Sequence, residues 1–139
     1  MTKLIVNTDG AARGNPGPAA SSFIIRDSEG AILSQDGVCL GETTNNVAEY
    51  SAVKFALNRI VLEFSGILPA DVEVKSDSKL IVEQLSGNFK IKNMTLRALF
   101  NEIKLLEGKI GSVNYIHIPR EQNYQADLLA NKALDDDSF

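Results

Sequence analysis

Short apolar runs bounded by glycine and proline alternate along this chain with longer stretches whose apolar residues recur every three to four positions. Residues 3–9, centred on Leu4-Ile5-Val6, predict a strand ending at Asp9-Gly10, followed by the turn-rich Gly14-Asn15-Pro16-Gly17-Pro18. Residues 21–26 and 31–40 predict the arms of a hairpin closed around Asp27-Ser28-Glu29-Gly30. A long helix is expected over about residues 46–64, with Val53, Ala56, Ile60 and Phe64 on its buried stripe. Past the break at Pro69, residues 72–76 predict a fourth strand, and residues 79–85 and 96–106 two helices. Residues 113–118 predict a fifth strand, stopped by Pro119, and residues 123–134 a final helix. Three hairpin-linked strands followed by alternating helices and strands imply a mixed sheet with helices packed on it, an α/β architecture.

Composition narrows the class. A length of 139 residues, with 44% hydrophobic and 23% charged residues, fits one globular domain with a real core. No run approaches the roughly 18 apolar residues of a membrane helix, so no membrane association is expected. The N-terminus enters a strand-like segment without a signal-peptide pattern. The single cysteine, Cys39, sits in the apolar stretch Val38-Cys39-Leu40 and reads as a buried structural thiol. A reducing cytoplasm is the expected compartment. Asp135, Asp136 and Asp137 crowd the C-terminus, where residues 135–139 read as a frayed acidic tail.

The net charge of −4 would oppose nucleic-acid binding if it were evenly spread. Four acids, however, stand where predicted elements begin or end: Asp9, Glu49, Asp77 and Asp127. Each has a purely structural use. Asp9-Gly10 is a common turn pair, Glu49 lies three residues after Asn46 as in a partial capping box, Asp77 can cap the next helix, and Asp127 can face a helix dipole. Together they suggest more. If the strands before Asp9 and Asp77 are parallel neighbours, their carboxylates emerge together at the carboxyl end of the sheet, where open α/β sheets place ligands. Glu49 and Asp127 lie on the packed sides of their helices and can join them. Four carboxylates so placed repel one another unless hard cations such as Mg²⁺ or Mn²⁺ join them.

The segments TDGAARGNPGP, TTNNVAEY, SDS before a helix, and REQNYQADLLA resemble those of type 1 ribonuclease H, in order and at matching intervals. The resemblance runs from about Lys3 to Leu134. It implies a five-stranded mixed sheet with the first three strands antiparallel and helices on both faces. It also implies a metal-dependent endonuclease that cuts the RNA strand of an RNA–DNA hybrid, leaving 5′-phosphate and 3′-hydroxyl ends. The family's metal-binding acids carry over onto Asp9, Glu49, Asp77 and Asp127, with the backbone of Gly10 beside them, and two Mg²⁺ or Mn²⁺ ions are implied. One ion would activate a water and the other would stabilise the leaving oxygen. Substrate contacts carry over onto Gly10 and Ala11 at the RNA 2′-hydroxyls, Asn45 and Asn46 in the minor groove, and Asn15, Arg26 and Thr44 around a DNA-strand phosphate.

Two departures from the family pattern stand out. Many members carry a flexible histidine loop before the last acid, whereas here nine residues separate His117 from Asp127. An ungapped count sets His117 opposite the family histidine; aligning Ile118-Pro119 with the strand's end leaves Arg120 nearest that role. Some members also insert a lysine-rich helix with tryptophans, where this chain has only Lys90 and Lys92 in residues 87–93 and no tryptophan. Weak, salt-sensitive hybrid binding is the expected consequence of so few basic groups, and a monomer with no obligate protein partner is expected. The competing reading is a non-catalytic nucleic-acid-binding module of the same fold. A kinase-like reading of Asp9-Gly10 lacks both a second domain copy and a GxxxxGK[ST] loop.

Overall fold

The computed structural model describes residues 1–137. Its strands are β1 (Thr2–Ala12), β2 (Gly17–Asp27), β3 (Ile32–Thr43), β4 (Ala70–Ser76) and β5 (Gly111–His117). The helices are α1 (Asn45–Glu63), α2 (Lys79–Leu85), α3 (Met94–Ile110) and α4 (Tyr124–Asp137), with 3₁₀ turns at Ser65–Ile67 and Arg120–Asn123. The sheet order is β3-β2-β1-β4-β5. β1, β2 and β3 pair antiparallel, and β4 pairs parallel to both β1 and β5. Parallel neighbours cannot be joined by a tight turn, and α1 and then α2 with α3 supply the crossovers.

Strand alternation divides the helices between two faces. Leu4 and Val6 of β1, Phe23 and Ile25 of β2, and Val72 and Val74 of β4 share one core with Val53, Ala56 and Ile60 of α1 and Ile103 and Ile110 of α3. The expected stripe of α1 is buried except at Phe64, which is the partly buried C-cap. Ala48, Tyr50, Ala52 and Leu57 are buried too, because α1 packs against both the sheet and α3. On the other face α4 packs closely on β2 and β3. Ser22 donates to the Ala126 carbonyl (2.6 Å), and a β-carbon on Gly37 would lie 2.7 Å from the Leu129 carbonyl oxygen.

Several boundaries differ from the sequence reading. β1 continues past Asp9 to Ala12 because its ladder with β2 persists to Ala12↔Ala19, while its ladder with β4 stops at Asn7↔Lys75. The turn-rich stretch therefore shrinks to residues 13–16, and β2 begins at Gly17 rather than Ser21. β5 ends at His117, although the Ile118 N–H still donates to the Ser76 carbonyl (2.9 Å). α4 carries the acidic residues on to Asp137 instead of leaving them frayed; Ser138 and Phe139 lie outside the described residues. Cys39 is half-buried rather than buried, with its thiol donating to the Ala133 carbonyl (3.0 Å). Among the described residues no helix is long and apolar enough to cross a membrane.

Candidate active site

Local structure removes most of the structural uses weighed for the acids. Asp9 lies within a strand, paired with Ser22, and not in a turn. Thr44 caps α1 by accepting from the Val47 N–H (3.2 Å), so Glu49 sits a full turn in and closes no box with Asn46. Ser78 caps α2 through the Ile81 N–H (3.4 Å), so Asp77, just after β4, does not cap that helix. Only Asp127 keeps its place as a first-turn acid, in α4.

Two small residues bring the acids together. A β-carbon on Gly10 would lie 2.4 Å from both the Ala48 carbonyl carbon and the Glu49 nitrogen, so only glycine lets β1 touch the start of α1. Its ladder partner Ser21 donates to the Ala48 carbonyl (2.6 Å) and fixes the same turn from β2. Asp9 and Glu49 thus share one point, and the parallel β1–β4 pairing delivers Asp77 beside them. One oxygen from each of these three carboxylates lies within 4.8 Å of the others. Asp127 is not in this set, but it lies close enough for its charge to raise the Asp9 carboxyl. Its own Oδ1 accepts from Asn131 Nδ2 (3.2 Å).

The electrostatics ask for a cation. Burial, reinforced by the charges of Asp77 and Asp127, pushes the Asp9 carboxyl up from 3.8 to about 7, against a lowering hydrogen bond from the Gly10 N–H. Burial, then Asp9 and Asp77, pushes Glu49 well above the usual carboxylate range. Glu49 is 9% exposed, and its Oε2 is a buried atom without a hydrogen-bond partner. A buried carboxylate oxygen left unpaired is costly, and a hard divalent ion is the ligand that oxygen donors of this kind suit. The residues present therefore fit a divalent metal.

The acids open into a cavity of about 460 Å³ that is also lined by Gly10, Ala11, Ala12, Arg13, Asn45, Arg120 and Asn131. The structure brings Arg120 to the acids and leaves His117 outside the cavity lining, exposed at the end of β5. Asn15, Thr44 and Asn46 line a neighbouring cavity of about 370 Å³. The Oδ1 of Asn15 accepts from the Asn45 N–H (3.1 Å) and links the two cavities. Arg26 does not join Asn15 and Thr44. It pairs with Ile5 towards the opposite end of β2 and donates to Asn7 Oδ1 (3.1 Å) and to Gln125 Oε1. The phosphate pocket expected around all three is corrected accordingly: Asn93 and Thr95, from the start of α3, stand where Arg26 was expected.

Several lining residues of these cavities escaped the sequence reading, Asn131, Arg13, Asn93 and Thr95 among them. Asn131 is one helical turn after Asp127, a spacing that was there to be read. Arg13 sits in a turn rich in small residues and carried no signal. Asn93 falls in the loop segment 87–93 and Thr95 just before the helix expected from residue 96, and neither carried a signal.

This sheet order, with helices on both faces, is the ribonuclease H-like fold. A family model described as reverse transcriptase-like matches residues 7–133. The chain is 36% identical over 134 residues to the bifunctional protein Rv2228c of Mycobacterium tuberculosis, covering 96% of this chain and 36% of that protein. It is 38% identical over 128 residues to ribonuclease HI of Halobacterium salinarum, covering 92% and 62%. The crystal structure of LC11-RNase H1 in complex with an RNA/DNA hybrid superposes with a TM-score of 0.94 at 41% identity, covering 98% of this chain and 99% of that one. The chain belongs to the type 1 ribonuclease H family. It spans about a third of the length of the mycobacterial relative and under two thirds of the haloarchaeal one.

Proposed function

We propose that this domain is a metal-dependent endonuclease that hydrolyses the RNA strand of RNA–DNA hybrids and leaves 5′-phosphate and 3′-hydroxyl ends. The observation that carries the reading is Glu49, a buried carboxylate with an unpartnered oxygen, set against Asp9 and Asp77. Asp9, Glu49, Asp77 and Asp127 would hold the cations, with the Gly10 main chain closing one side. Two Mg²⁺ or Mn²⁺ ions, when bound, supply an activated water and stabilise the leaving 3′ oxygen. Arg120, at the cavity rim, lends positive charge to the scissile phosphate and cannot shuttle protons.

The remaining residues bind and orient the hybrid. The main chain at Gly10 and Ala11, with Asn45, borders the acids and faces the RNA strand. Asn46 reaches the minor groove, and a DNA-strand phosphate sits with Asn15, Thr44, Asn93 and Thr95. Thr44 and Asn93 are the N-caps of α1 and α3, so two helix N-termini converge on that cavity. Unpaired first-turn N–H groups favour an anion there without any lysine or arginine. Lys90 and Lys92 lie in a loop that leads directly into α3, with no inserted helix. We read residues 1–139 as one nuclease domain, monomeric and cytoplasmic, with no obligate protein partner.

The test is incubation of labelled RNA–DNA hybrid, duplex RNA and duplex DNA with Mg²⁺ or Mn²⁺, followed by analysis of the product ends. Loss of only the RNA strand of the hybrid is expected. A hybrid that is bound but left intact under both metals would establish the non-catalytic binding module instead.

A further inference from the structure

The last residue before α4, Asn123, is 1% exposed, and every polar atom of its side chain is engaged. Its Nδ2 donates to the Thr8 carbonyl (2.8 Å) and to Asp77 Oδ2 (3.3 Å). Its Oδ1 accepts from Asn7 Nδ2 (3.1 Å), and Asn7 Oδ1 accepts from the Arg26 guanidinium (3.1 Å). All four residues therefore lie on one chain of hydrogen bonds with a single direction, Arg26 to Asn7 to Asn123 to Asp77. Each amide accepts on its outer side and donates on its inner side. Turning the Asn123 amide over would set its oxygen against two acceptors, so the network fixes its orientation.

We propose that Asn123 is a positioning residue for the acid cluster, at the inner end of a relay through which the buried side of Asp77 is held by Arg26 and Asn7. The inference rests on the metal-dependent reading above. Three physical points carry it. Asn123 ties β1, at Thr8, to the residue closing β4, so it holds together the two strand ends that present Asp9 and Asp77. By engaging Oδ2 of Asp77 it restrains that carboxylate and leaves Oδ1 outside this bond. It also lies one helical turn before Asp127, so fixing its side chain fixes where α4 begins and where the fourth acid falls.

The choice of residue types follows from charge. A lysine or arginine directly on Asp77 would compete with a divalent ion for the same carboxylate. A fifth carboxylate at position 123 would face both Asp77 and the Thr8 carbonyl with acceptors only. A neutral amide does neither, and hydrogen-bonded chains of this kind polarise one another, so the guanidinium charge bears on Asp77 from outside the cluster. This gives Arg26 a role unlike that of a phosphate ligand: its guanidinium also ties Gln125 of α4 to β1 through Asn7.

The test is titration of the substrate-free protein with Mn²⁺ alone, by calorimetry, for wild type, Asn123→Ala, Asn7→Ala and Arg26→Ala. Hybrid cleavage is followed separately for kcat and KM. Partners that orient a metal ligand are typically worth 10–100-fold in affinity. About that loss of Mn²⁺ affinity is expected for Asn123→Ala, and a smaller loss of about two- to tenfold for Asn7→Ala and Arg26→Ala. The hybrid KM at saturating Mn²⁺ should stay near wild type in all three. A role confined to stability would lower Tm and leave the Mn²⁺ affinity of the folded variants unchanged, which overturns the proposal. So does an Arg26→Ala variant with raised KM and wild-type Mn²⁺ affinity, the signature of a phosphate ligand. Should Asn123→Ala fail to fold, Asn7→Ala decides on the same criterion. Failure of the wild type to cut hybrid would refute the nuclease reading alone, because the Mn²⁺ titrations judge the relay independently.

Discussion

A β-carbon on Gly10 would lie 2.4 Å from the backbone nitrogen of Glu49, which makes these two residues the contact through which the sheet receives α1. The clash is with main chain on both sides, so no side-chain rotation relieves it. Gly10→Ala is expected to push α1 off β1, at about 1–3 kcal/mol, the usual cost of overpacking a well-packed core. Cleavage should fall further than stability does, because Asp9 and Glu49 separate. Urea unfolding together with hybrid turnover checks both; a variant with wild-type turnover would show that the contact does not set the cluster.

Removing a carboxylate should stabilise the metal-free protein while abolishing cleavage. Asp9→Asn and Glu49→Gln each relieve repulsion within a buried set of acids. Tm without metal should rise, the Tm gain on adding Mn²⁺ should disappear, and no RNA product should form. Binding to the native state alone is what produces a metal-dependent Tm, so the two readouts fail together if these acids are not ligands.

Stability without metal should decline as pH rises. The carboxyl of Asp9 has a folded pKa raised from 3.8 to about 7, and that of Glu49 is also raised. Both hold their protons more tightly when folded, so their contribution is complete below about pH 4; that of Asp9 is lost as pH climbs through about 7, and that of Glu49 is lost above the usual carboxylate range. Thermal melts in chelator should therefore show a falling Tm between pH 5 and pH 8. Saturating Mn²⁺ should reverse that slope, since the metal competes with protons for the same oxygens. A flat profile in chelator would remove the electrostatic argument for the site.

Arg120 lines the acid cavity and His117 does not. Arg120→Ala should accordingly lower turnover more than His117→Ala, whose effect should stay under about tenfold, against the 10²–10⁴-fold typical of a lost general acid or base. The comparison is made on one hybrid, at saturating metal, across pH. A large His117 defect with a neutral-pH titration that vanishes in the variant would reverse the assignment.

Asn93 caps α3 through the Leu96 N–H (3.0 Å) and lines the cavity shared with Asn15 and Thr44. Asn93→Ala should cost about 1 kcal/mol of stability as a lost cap. It should also raise the hybrid KM, with little change in kcat, because the proposed phosphate contact lies away from the acids. Since few cations grip the backbone, KM for every form of the protein should climb steeply from low to moderate salt.

The order of elements, the mixed sheet and the clustering of Asp9, Glu49 and Asp77 were legible in the sequence, the first two from local pattern. Apolar periodicity marks strands and helices, and glycine and proline mark where they stop. The sequence reading sets Asp9, Glu49 and Asp77 at such boundaries; in the fold Asp9 lies inside β1 and Glu49 a turn inside α1, so the β1–β4 pairing brings Asp77 to Asp9 while the Gly10 contact brings Glu49. What tertiary structure alone decided were relations between residues far apart in the chain. Arg26 looked suited to a phosphate by residue type, but β2 is a long extended strand. Arg26 stands nine residues from Gly17, roughly 30 Å at the rise of a strand, and cannot reach the cavity of Asn15 and Thr44. Asn123 read as a polar residue opening a helix. Its burial arises only where β1, β4 and α4 meet, and a buried amide must be paired on every side. Periodicity can report which side of an element faces inward; which polar groups then meet there is decided by the crossing of elements that no local window contains.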